Sequence, residues 1–95
     1  MSLLFEWDQN KAESNLAKHD VSFEEAMTVF ADPLARIFPD EDHSVDEKRE
    51  IIIGHSTHQQ LILVDFTATE DRVRIISARK TTRRERKDYE ENIGS

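Results

Sequence analysis

The 95-residue chain is marked first by what it lacks. It contains no cysteine, which excludes disulfide bonds and thiolate metal sites and is typical of proteins in a reducing compartment. Its longest apolar run, Leu61 to Val64, is far shorter than the roughly 20 residues that cross a bilayer. The first residues have neither the basic segment nor the apolar length of a signal peptide. We therefore expect a single domain, residues 1–95, in the cytoplasm, with no membrane contact.

Glycine is also scarce, and the two glycines, Gly54 and Gly94, exclude a glycine-rich phosphate loop. The histidines form no helical i, i+4 pair, so we expect no metal site and no cofactor. Two of them flank a predicted turn and could chelate weakly, although a surface hairpin is the preferred interpretation. The four histidines are His19, His43, His55 and His58.

The charge is unevenly distributed along the chain. The net charge is −7, but residues 72–87 contain eight basic residues and one acidic residue, a net +7. The remainder, with five basic and nineteen acidic residues, carries −14. Such a local basic segment is either the electrostatic footprint of a nucleic-acid site or a solvated, salt-bridged helix. The acidic remainder would discourage indiscriminate nucleic-acid binding or attract a basic partner.

The first third of the chain predicts a short strand and two helices. Residues 5–7 alternate as a strand does, and Asp8 can cap a helix that buries Ala12, Leu16 and His19. Ser22 then opens a second helix through a capping box, with a hydrophobic staple around it. The apolar stripe of this helix consists of Phe23, Ala26, Met27 and Phe30, before Asp32-Pro33 ends it.

The remainder predicts strands followed by one helix. Arg36 to Phe38 forms an edge strand, residues 40–48 a loop, and residues 50–55, 61–67 and 72–78 three strands. Their short connections imply antiparallel hairpins. A capping box at Thr82 and Glu85 opens a helix to about Asn92. The predicted class is α+β: a two-layer fold with an antiparallel sheet of about four strands, two N-terminal helices and one C-terminal helix, all on one side.

The basic segment combines the third hairpin strand with the last helix. Strict alternation puts Val73, Ile75, Ser77 and Arg79 on one face and Arg72, Arg74, Ile76 and Ala78 on the other, so cations reach both faces. Arg79 and Lys80 stand where strand meets helix. Arg83, Arg86 and Tyr89 line one side of that helix. Arginine forks suit phosphate oxygens; Tyr89 either contacts a substrate or packs the helix onto the sheet.

Two smaller groups also carry candidate chemistry. If the strand extends back to Glu47, the side chains of Glu47 and Arg49 point to the same face. Glu47 is then either a general base beside a cation or one half of an ordinary ion pair. Lys18 and His19 stand at the end of the first helix, where a cation interacts favourably with the helix dipole. If the two residues are purely structural, Lys18 stabilises the dipole and His19 is partly buried.

Several motifs together resemble one known family. They are Phe5-Glu-Trp-Asp8, Asn10-Lys11, Asn15, Lys18-His19, residues 21–26, Phe30-Ala-Asp32, Glu47-x-Arg49, Gly54, residues 74–80, Glu85-Arg86 and Tyr89. This combination resembles the BrnT family. The resemblance implies a RelE-like fold and a type II toxin that cleaves RNA in the bacterial cytoplasm. It also implies a BrnA antitoxin with a ribbon-helix-helix domain, through which alone the toxin would meet DNA.

On that resemblance we expect metal-independent RNA cleavage by attack of the ribose 2′-oxygen. The expected catalytic set is Glu47 as base, with His19 or His43 next, and Arg49, Arg74, Arg79 and Lys80 stabilising charge. The expected substrate-binding set is Lys18, His19, Arg83, Arg86 and Tyr89. The alternatives are a non-catalytic binding module and an inactive member of a repressor complex. The sequence departs from the usual family pattern at two positions. Asp20 stands where a glycine is usual, and Asp65 puts a charge inside a strand.

Overall fold

The fold is α+β, as predicted. The computed structural model describes residues 4–41 and 48–93. Within this part of the chain no helix has the length and apolar character needed to span a membrane. The elements, in chain order, are β1 (Leu4–Glu6), α1 (Gln9–His19), α2 (Phe23–Val29), β2 (Arg36–Pro39), β3 (Glu50–His55), β4 (Leu61–Ala68), β5 (Arg72–Lys80) and α3 (Arg83–Ile93).

The sheet has five strands in the order β1-β5-β4-β3-β2. The hairpin strands are antiparallel, as their short connections require. The additional strand is β1, which runs parallel to β5 with Leu4 opposite Arg72 and Glu6 opposite Arg74. Local spacing predicts that residues 5–7 are extended. It does not predict which strand they pair with, because that strand lies almost seventy residues away.

Helices α1 and α2 cover one face of the sheet, here called the inner face. Its core includes Val21, Phe23 and Val29 from the helical part and Ile62, Val64 and Ile75 from β4 and β5, all essentially inaccessible to solvent. The apolar stripe of α2 is confirmed, with Phe23 and Ala26 buried and Met27 and Phe30 packed against the core. Burial of this face supplies most of the hydrophobic stabilisation.

Helix α1 buries a different set of residues from the predicted one. Ala12 is buried as expected, but Leu16 is 48% exposed and Asn15 is buried in its place. The Asn15 side-chain amide donates to the Val21 carbonyl at 2.9 Å and to the Ala78 carbonyl at 2.8 Å, and its oxygen accepts from the Ala78 N–H at 3.1 Å. Because every polar atom of this side chain is bonded, a polar residue replaces an apolar one at the helix–sheet contact.

Helix α3 lies on the face opposite to α1 and α2. Its buried residue Tyr89 packs against Ile53, Leu61 and Leu63, whereas the neighbouring residue Ile52 belongs to the inner core. Strands β3 and β4 therefore bury side chains on both faces, which explains their nearly continuous apolar sequence. The expectation that all helices share one side is wrong for α3.

The predicted helix starts are confirmed. Asp8 accepts from the N–H groups of Asn10 and Lys11, and the Ser22 hydroxyl accepts from the Glu25 N–H at 3.0 Å. Asp20 ends α1 in the left-handed conformation at φ 57° and ψ 34°, with its N–H bonded to the Leu16 carbonyl. An aspartate therefore serves where glycine would be less strained.

Candidate functional site

A β-bulge in β5 decides which face each of its arginines occupies. Asp65 pairs with Ser77, but the next residue of β4, Phe66, pairs with Ile75, so Ile76 is an extra residue in β5. The alternation of side chains is therefore reset at Ile76. Val73, Ile75 and Ala78 all face the inner core, so the prediction that strict alternation puts Arg79 on the face opposite to Arg72 and Arg74 is wrong.

The consequence is a sheet face that carries all three arginines of β5. We call it the arginine face; it consists of Arg49, Thr67, Asp65, Arg72, Arg74, Ser77 and Arg79. Arg74 and Arg79 stand opposite Thr67 and Leu63, four residues apart on β4, which corresponds to about 13 Å along the strand. Ser77 and Asp65 lie between them. Lys80 is opposite Ile62 of the inner core, so the structure separates it from this face.

Arg49 joins this face from the other side of β4. The Asp40 N–H donates to the Arg49 carbonyl at 3.0 Å, which extends the β2–β3 pairing by one residue, and Arg49 then alternates with Ile51 and Ile53. Since Glu50 pairs with Phe66, Arg49 lies beside Thr67, about 10 Å from Arg74 across two strand spacings. Its Nε is buried.

Arg74 is the exposed arginine of the face that has no ion-pair partner in the described ranges. It is exposed and lines an open cleft of about 240 Å³ with Glu6, Thr67, Thr69 and Arg72. Arg72 pairs with Glu6 at 3.5 Å, whereas Arg74 makes no ion pair with any residue in the described ranges. A carboxylate, two arginines and two hydroxyls therefore share one opening.

Arg79 is engaged by a carboxylate of α3. Its two terminal nitrogens donate to Glu85 Oε1 and Oε2 at 2.8 and 2.9 Å. The hydrogen bonds from Arg79 lower the pKa of Glu85 to about 2, and those to Glu85 raise the pKa of Arg79. Glu85 also completes the predicted capping box with Thr82, in both directions. The guanidinium fork expected to bind phosphate thus fastens the start of α3 to the end of β5.

Asp65 is a residue of this face to which sequence reasoning assigned no role. It is only 9% exposed, and its Cα partners are Ile51 and Ser77. Its signal in the sequence was a charge inside an otherwise apolar strand. A buried carboxylate in the middle of an arginine-rich face is costly unless it is satisfied by neighbours, and its pairing with Ser77 puts it on the same side of the sheet as Arg74 and Arg79.

Two candidate bases lie outside the described residues. Glu47, the expected general base, and His43, one of its substitutes, belong to the segment 42–47, so the geometry of the site includes neither. The other substitute, His19, is half-buried and stands on α1. It lines a separate cleft with Lys18.

The residues expected on α3 divide into a buried and an exposed group. Tyr89 is 2% exposed and donates to the Leu34 carbonyl at 3.2 Å; burial, with the charge of Asp32 nearby, raises its pKa. This supports the interpretation in which Tyr89 packs the helix onto the sheet. Arg83 and Arg86 are exposed, and Arg86 lies 3.9 Å from Glu90.

The second opening, which we call the α1–β5 cleft, has a volume of about 330 Å³. It lies between α1 and the outer edge of β5, beyond the three residues that pair with β1. Lys18 and His19, expected to bind substrate, line this cleft and not the arginine face. Its lining consists of Asn10, Lys11, Ser14, Asn15, Lys18, His19, Ile76 and Ser77.

The hairpin histidines have structural roles. The Asp32 carboxylate accepts from the His55 N–H at 2.7 Å; burial alone would raise the pKa of Asp32, but the N–H groups of His55 and Leu34 outweigh it and lower that pKa. His58 lies 3.6 Å from Glu25. These contacts tie α2 to the β3–β4 hairpin. Among residues 4–41 and 48–93, no three metal-ligating side chains form a cluster.

Comparison with known proteins identifies the family. A family model described as the ribonuclease toxin BrnT of a type II toxin-antitoxin system matches residues 7–85. The chain belongs to the BrnT family. Among solved structures it is similar to the 1.1 Å crystal structure of the Brucella abortus ribonuclease toxin BrnT, with 24% identity and a TM-score of 0.66, over 86% of this chain and 100% of that chain. No curated protein sequence gives a significant match.

The family match and the site overlap closely. Residues 7–85 include Arg49, Arg74 and Arg79 of the arginine face and all the residues of the α1–β5 cleft. Tyr89 and Arg86 lie beyond the match, and Glu6 lies just before it. This BrnT-family chain therefore has both openings inside, or at the border of, the part that defines the family.

Proposed function

We propose that this protein is a metal-independent endoribonuclease toxin that cleaves RNA on its arginine face and is inhibited by a BrnA-like antitoxin. Family membership supplies the class of ribonuclease toxins. The observation that carries the assignment is the reset of alternation in β5, which brings Arg72, Arg74 and Arg79 to the same side of the sheet as Arg49. Arg72 and Arg74 lie beside one opening, and arginines so placed can stabilise the charge that develops on a phosphoryl group.

The proposed reaction needs no group beyond side chains and RNA. A carboxylate takes the proton of the ribose 2′-OH, and the 2′-oxygen attacks the adjacent phosphorus. The bond from phosphorus to the 5′-oxygen breaks, and that oxygen leaves with a proton from a general acid or from water. The products are a 2′,3′-cyclic phosphate and a 5′-hydroxyl. A requirement for the 2′-OH restricts the substrate to RNA.

Arg74 is the main phosphate ligand in this proposal. It is exposed, borders the cleft with Glu6 and lacks a carboxylate partner in the described part of the chain. Arg49 adds charge across β4. Arg79 acts mainly as a positioning residue, because both its terminal nitrogens bind Glu85. The base is a carboxylate, and the variants Glu47→Gln and Glu6→Gln test two candidates, Glu47 from the sequence pattern and Glu6 from the lining of this cleft.

The test is cleavage of purified RNA in EDTA. We expect cleavage that yields cyclic phosphate ends and that stops when the scissile nucleotide is 2′-deoxy. Arg74→Ala should lower the cleavage rate by about 100-fold or more, without changing the thermal unfolding midpoint. Arg84→Ala, on the exposed side of α3, is the control and should cleave like the wild type. Cleavage that requires added metal, or that is unchanged in Arg74→Ala, would contradict the proposal.

We further propose that the antitoxin is a ribbon-helix-helix protein that covers the cationic segment, and that this complex alone contacts DNA. Such a partner should bury an interface of about 1,600 Å² or more. Induced expression of the chain should arrest bacterial growth, and co-expression of the adjacent ribbon-helix-helix reading frame should restore it. Growth arrest that no neighbouring gene relieves would argue against this partner.

One observation favours a second function. The bidentate Arg79–Glu85 pair removes one expected phosphate ligand from use, as in a non-catalytic member that persists as part of a repressor complex. Such a protein would bind RNA or an acidic partner with strong salt dependence but without turnover. The EDTA assay separates the two functions directly.

A further inference from the structure

We propose that the α1–β5 cleft is a second phosphate subsite, which binds the backbone of a single-stranded RNA that continues from the arginine face. This inference rests on the proposed function for the identity of the ligand. Its evidence is independent of the arginines: the orientation of α1, the charge of two lysines, the donors around them and the position of Ser77.

The orientation of α1 follows from Asn15. The buried side chain of Asn15 is bonded to the backbone of Ala78 in both directions, so this side of α1 faces the edge of β5. Lys11 precedes Asn15 by four residues and Lys18 follows it by three, which puts both on the same side of the helix. One satisfied amide therefore directs two ammonium groups over the free edge of the sheet.

Local stabilisation explains Lys18 but not Lys11. Lys18 is in the last turn of α1, where a cation favours the helix dipole, but Lys11 is in the first turn, where a cation opposes it. Neither forms an ion pair with a carboxylate in residues 4–41 or 48–93, although the chain has twenty acidic residues. Arg72, Arg79 and Arg86 each have such a partner. Two lysines that line a cleft without a carboxylate partner in these ranges are suited to bind an anionic ligand.

The remaining lining residues fit a phosphodiester. Asn10 contributes an amide, Ser14 a hydroxyl and His19 an imidazole, and Ser77 borders the cleft at the β5 edge. Ile76, the bulge residue, adds an apolar surface against which a ribose can pack. The cleft is open to solvent, and its volume of about 330 Å³ accommodates a phosphate with its adjoining sugar.

Ser77 connects the two openings. It lines the α1–β5 cleft and is also the cross-strand partner of Asp65 on the arginine face. Arg74 is three residues away from it and Arg79 two, which corresponds to about 7–10 Å along β5. An RNA strand that crosses the β5 edge at Ser77 therefore contacts both sites. Because the arginine face is the proposed site of RNA cleavage, this continuity makes RNA the ligand that we assign to the cleft.

The experiment measures binding of a fluorescein-labelled 2′-O-methyl RNA oligonucleotide, which cannot be cleaved by attack of a 2′-hydroxyl. We expect Lys11→Gln/Lys18→Gln to weaken binding about tenfold at moderate salt. The slope of log affinity against log salt should fall by about 1.4, or about 0.7 for each phosphate that a lysine no longer neutralises. The control Arg84→Gln/Lys87→Gln removes the same charge from the exposed side of α3 and should weaken binding less than about threefold. Thermal unfolding verifies that both variants fold.

Each other outcome overturns the inference. Equal weakening in the two double variants would mean that only bulk charge matters. An unchanged affinity for RNA, with weakened binding of an oligoglutamate peptide, would make the cleft a protein site. Failure of the wild type to bind the oligonucleotide would remove the ligand altogether. If only the nuclease proposal fails, the protein binds the methylated RNA but does not cleave unmodified RNA. This result is distinguishable from failure of the second subsite.

Discussion

The two faces of the sheet differ in what holds them in place. The inner face is closed by α1 and α2 over a core of apolar side chains, beside which the polar side chain of Asn15 is buried and fully bonded. Among residues 4–41 and 48–93, the opposite face is covered at one end, where Tyr89 of α3 packs on Ile53, Leu61 and Leu63, and the arginine face occupies its other part. The inner face therefore supplies mainly stability and the arginine face mainly chemistry, so substitutions on the first should change unfolding and substitutions on the second should change cleavage.

The largest expected effect tests the closed face. Phe23 is fully buried and contacts Trp7 edge to face at a centroid distance of 5.9 Å. Phe23→Ala should lower the free energy of unfolding by about 3–5 kcal/mol, because a large cavity forms in the core. Denaturant unfolding measures this. Leu34→Ala, at a site that is 57% exposed, is the matched control; an equal decrease in both variants would refute the division between the faces.

The next effect concerns the polar exception of the inner face. Asn15→Ala leaves the N–H and the carbonyl of Ala78 and the carbonyl of Val21 without their side-chain partner. We expect a decrease of about 2–3 kcal/mol in the free energy of unfolding, since unsatisfied buried polar groups carry most of their desolvation penalty. Leu16→Ala, one residue later and 48% exposed, should change it by less than about 0.5 kcal/mol. A stable Asn15→Ala variant would remove the argument that this amide orients the lysines.

The smallest expected effect is the pH dependence of stability that the Arg79–Glu85 pair contributes. The pKa of Glu85 is lowered to about 2 from its ordinary value of 4.5, chiefly by hydrogen bonds from Arg79. A lowered pKa in the folded state means that the stabilisation is fully present above pH 4.5 and is lost as pH falls towards 2. Because both groups are partly exposed, solvent screening reduces the expected effect to about 1–2 kcal/mol.

The measurement is the unfolding midpoint between about pH 5 and pH 2 in the wild type and in Glu85→Gln. The variant should lack the part of the acid sensitivity that this pair contributes. Glu90→Gln disrupts an exposed contact with Arg86 at 3.9 Å and should keep the wild-type pH profile. An identical profile in Glu85→Gln and the wild type would show that the Arg79–Glu85 pair does not fasten α3.

Most of the fold was predictable because it follows from local periodicity. The helix starts at Asp8, Ser22 and Thr82, and the hairpin strands, rest on capping residues and alternation that act within a few residues. The position of α3 was not predictable in this way. An apolar strand such as β4 is compatible with cover on either face, and only the packing of Tyr89 on Leu61 and Leu63 shows which face α3 takes.

The site was predictable in its residue types but not in its arrangement. Arg49, Arg74 and Arg79 were selected for their chemistry, and the resemblance to the BrnT family is confirmed. Alternation failed at Ile76, because a bulge depends on how two strands pair and leaves no glycine or proline as a local sign. The partner of Arg79 was also missed: Glu85 was interpreted as a cap of α3, and it is both cap and ion-pair partner.

The amino-acid sequence by itself determined the helices, the hairpins, the family and the concentration of positive charge in residues 72–87, since these depend on neighbours along the chain. Only the tertiary structure decided that β1 joins β5, that the arginines share a face and that Lys11 and Lys18 meet at the β5 edge. The physical reason is that strand register and helix docking are contacts between distant segments, and one inserted residue in a strand reverses every side chain beyond it.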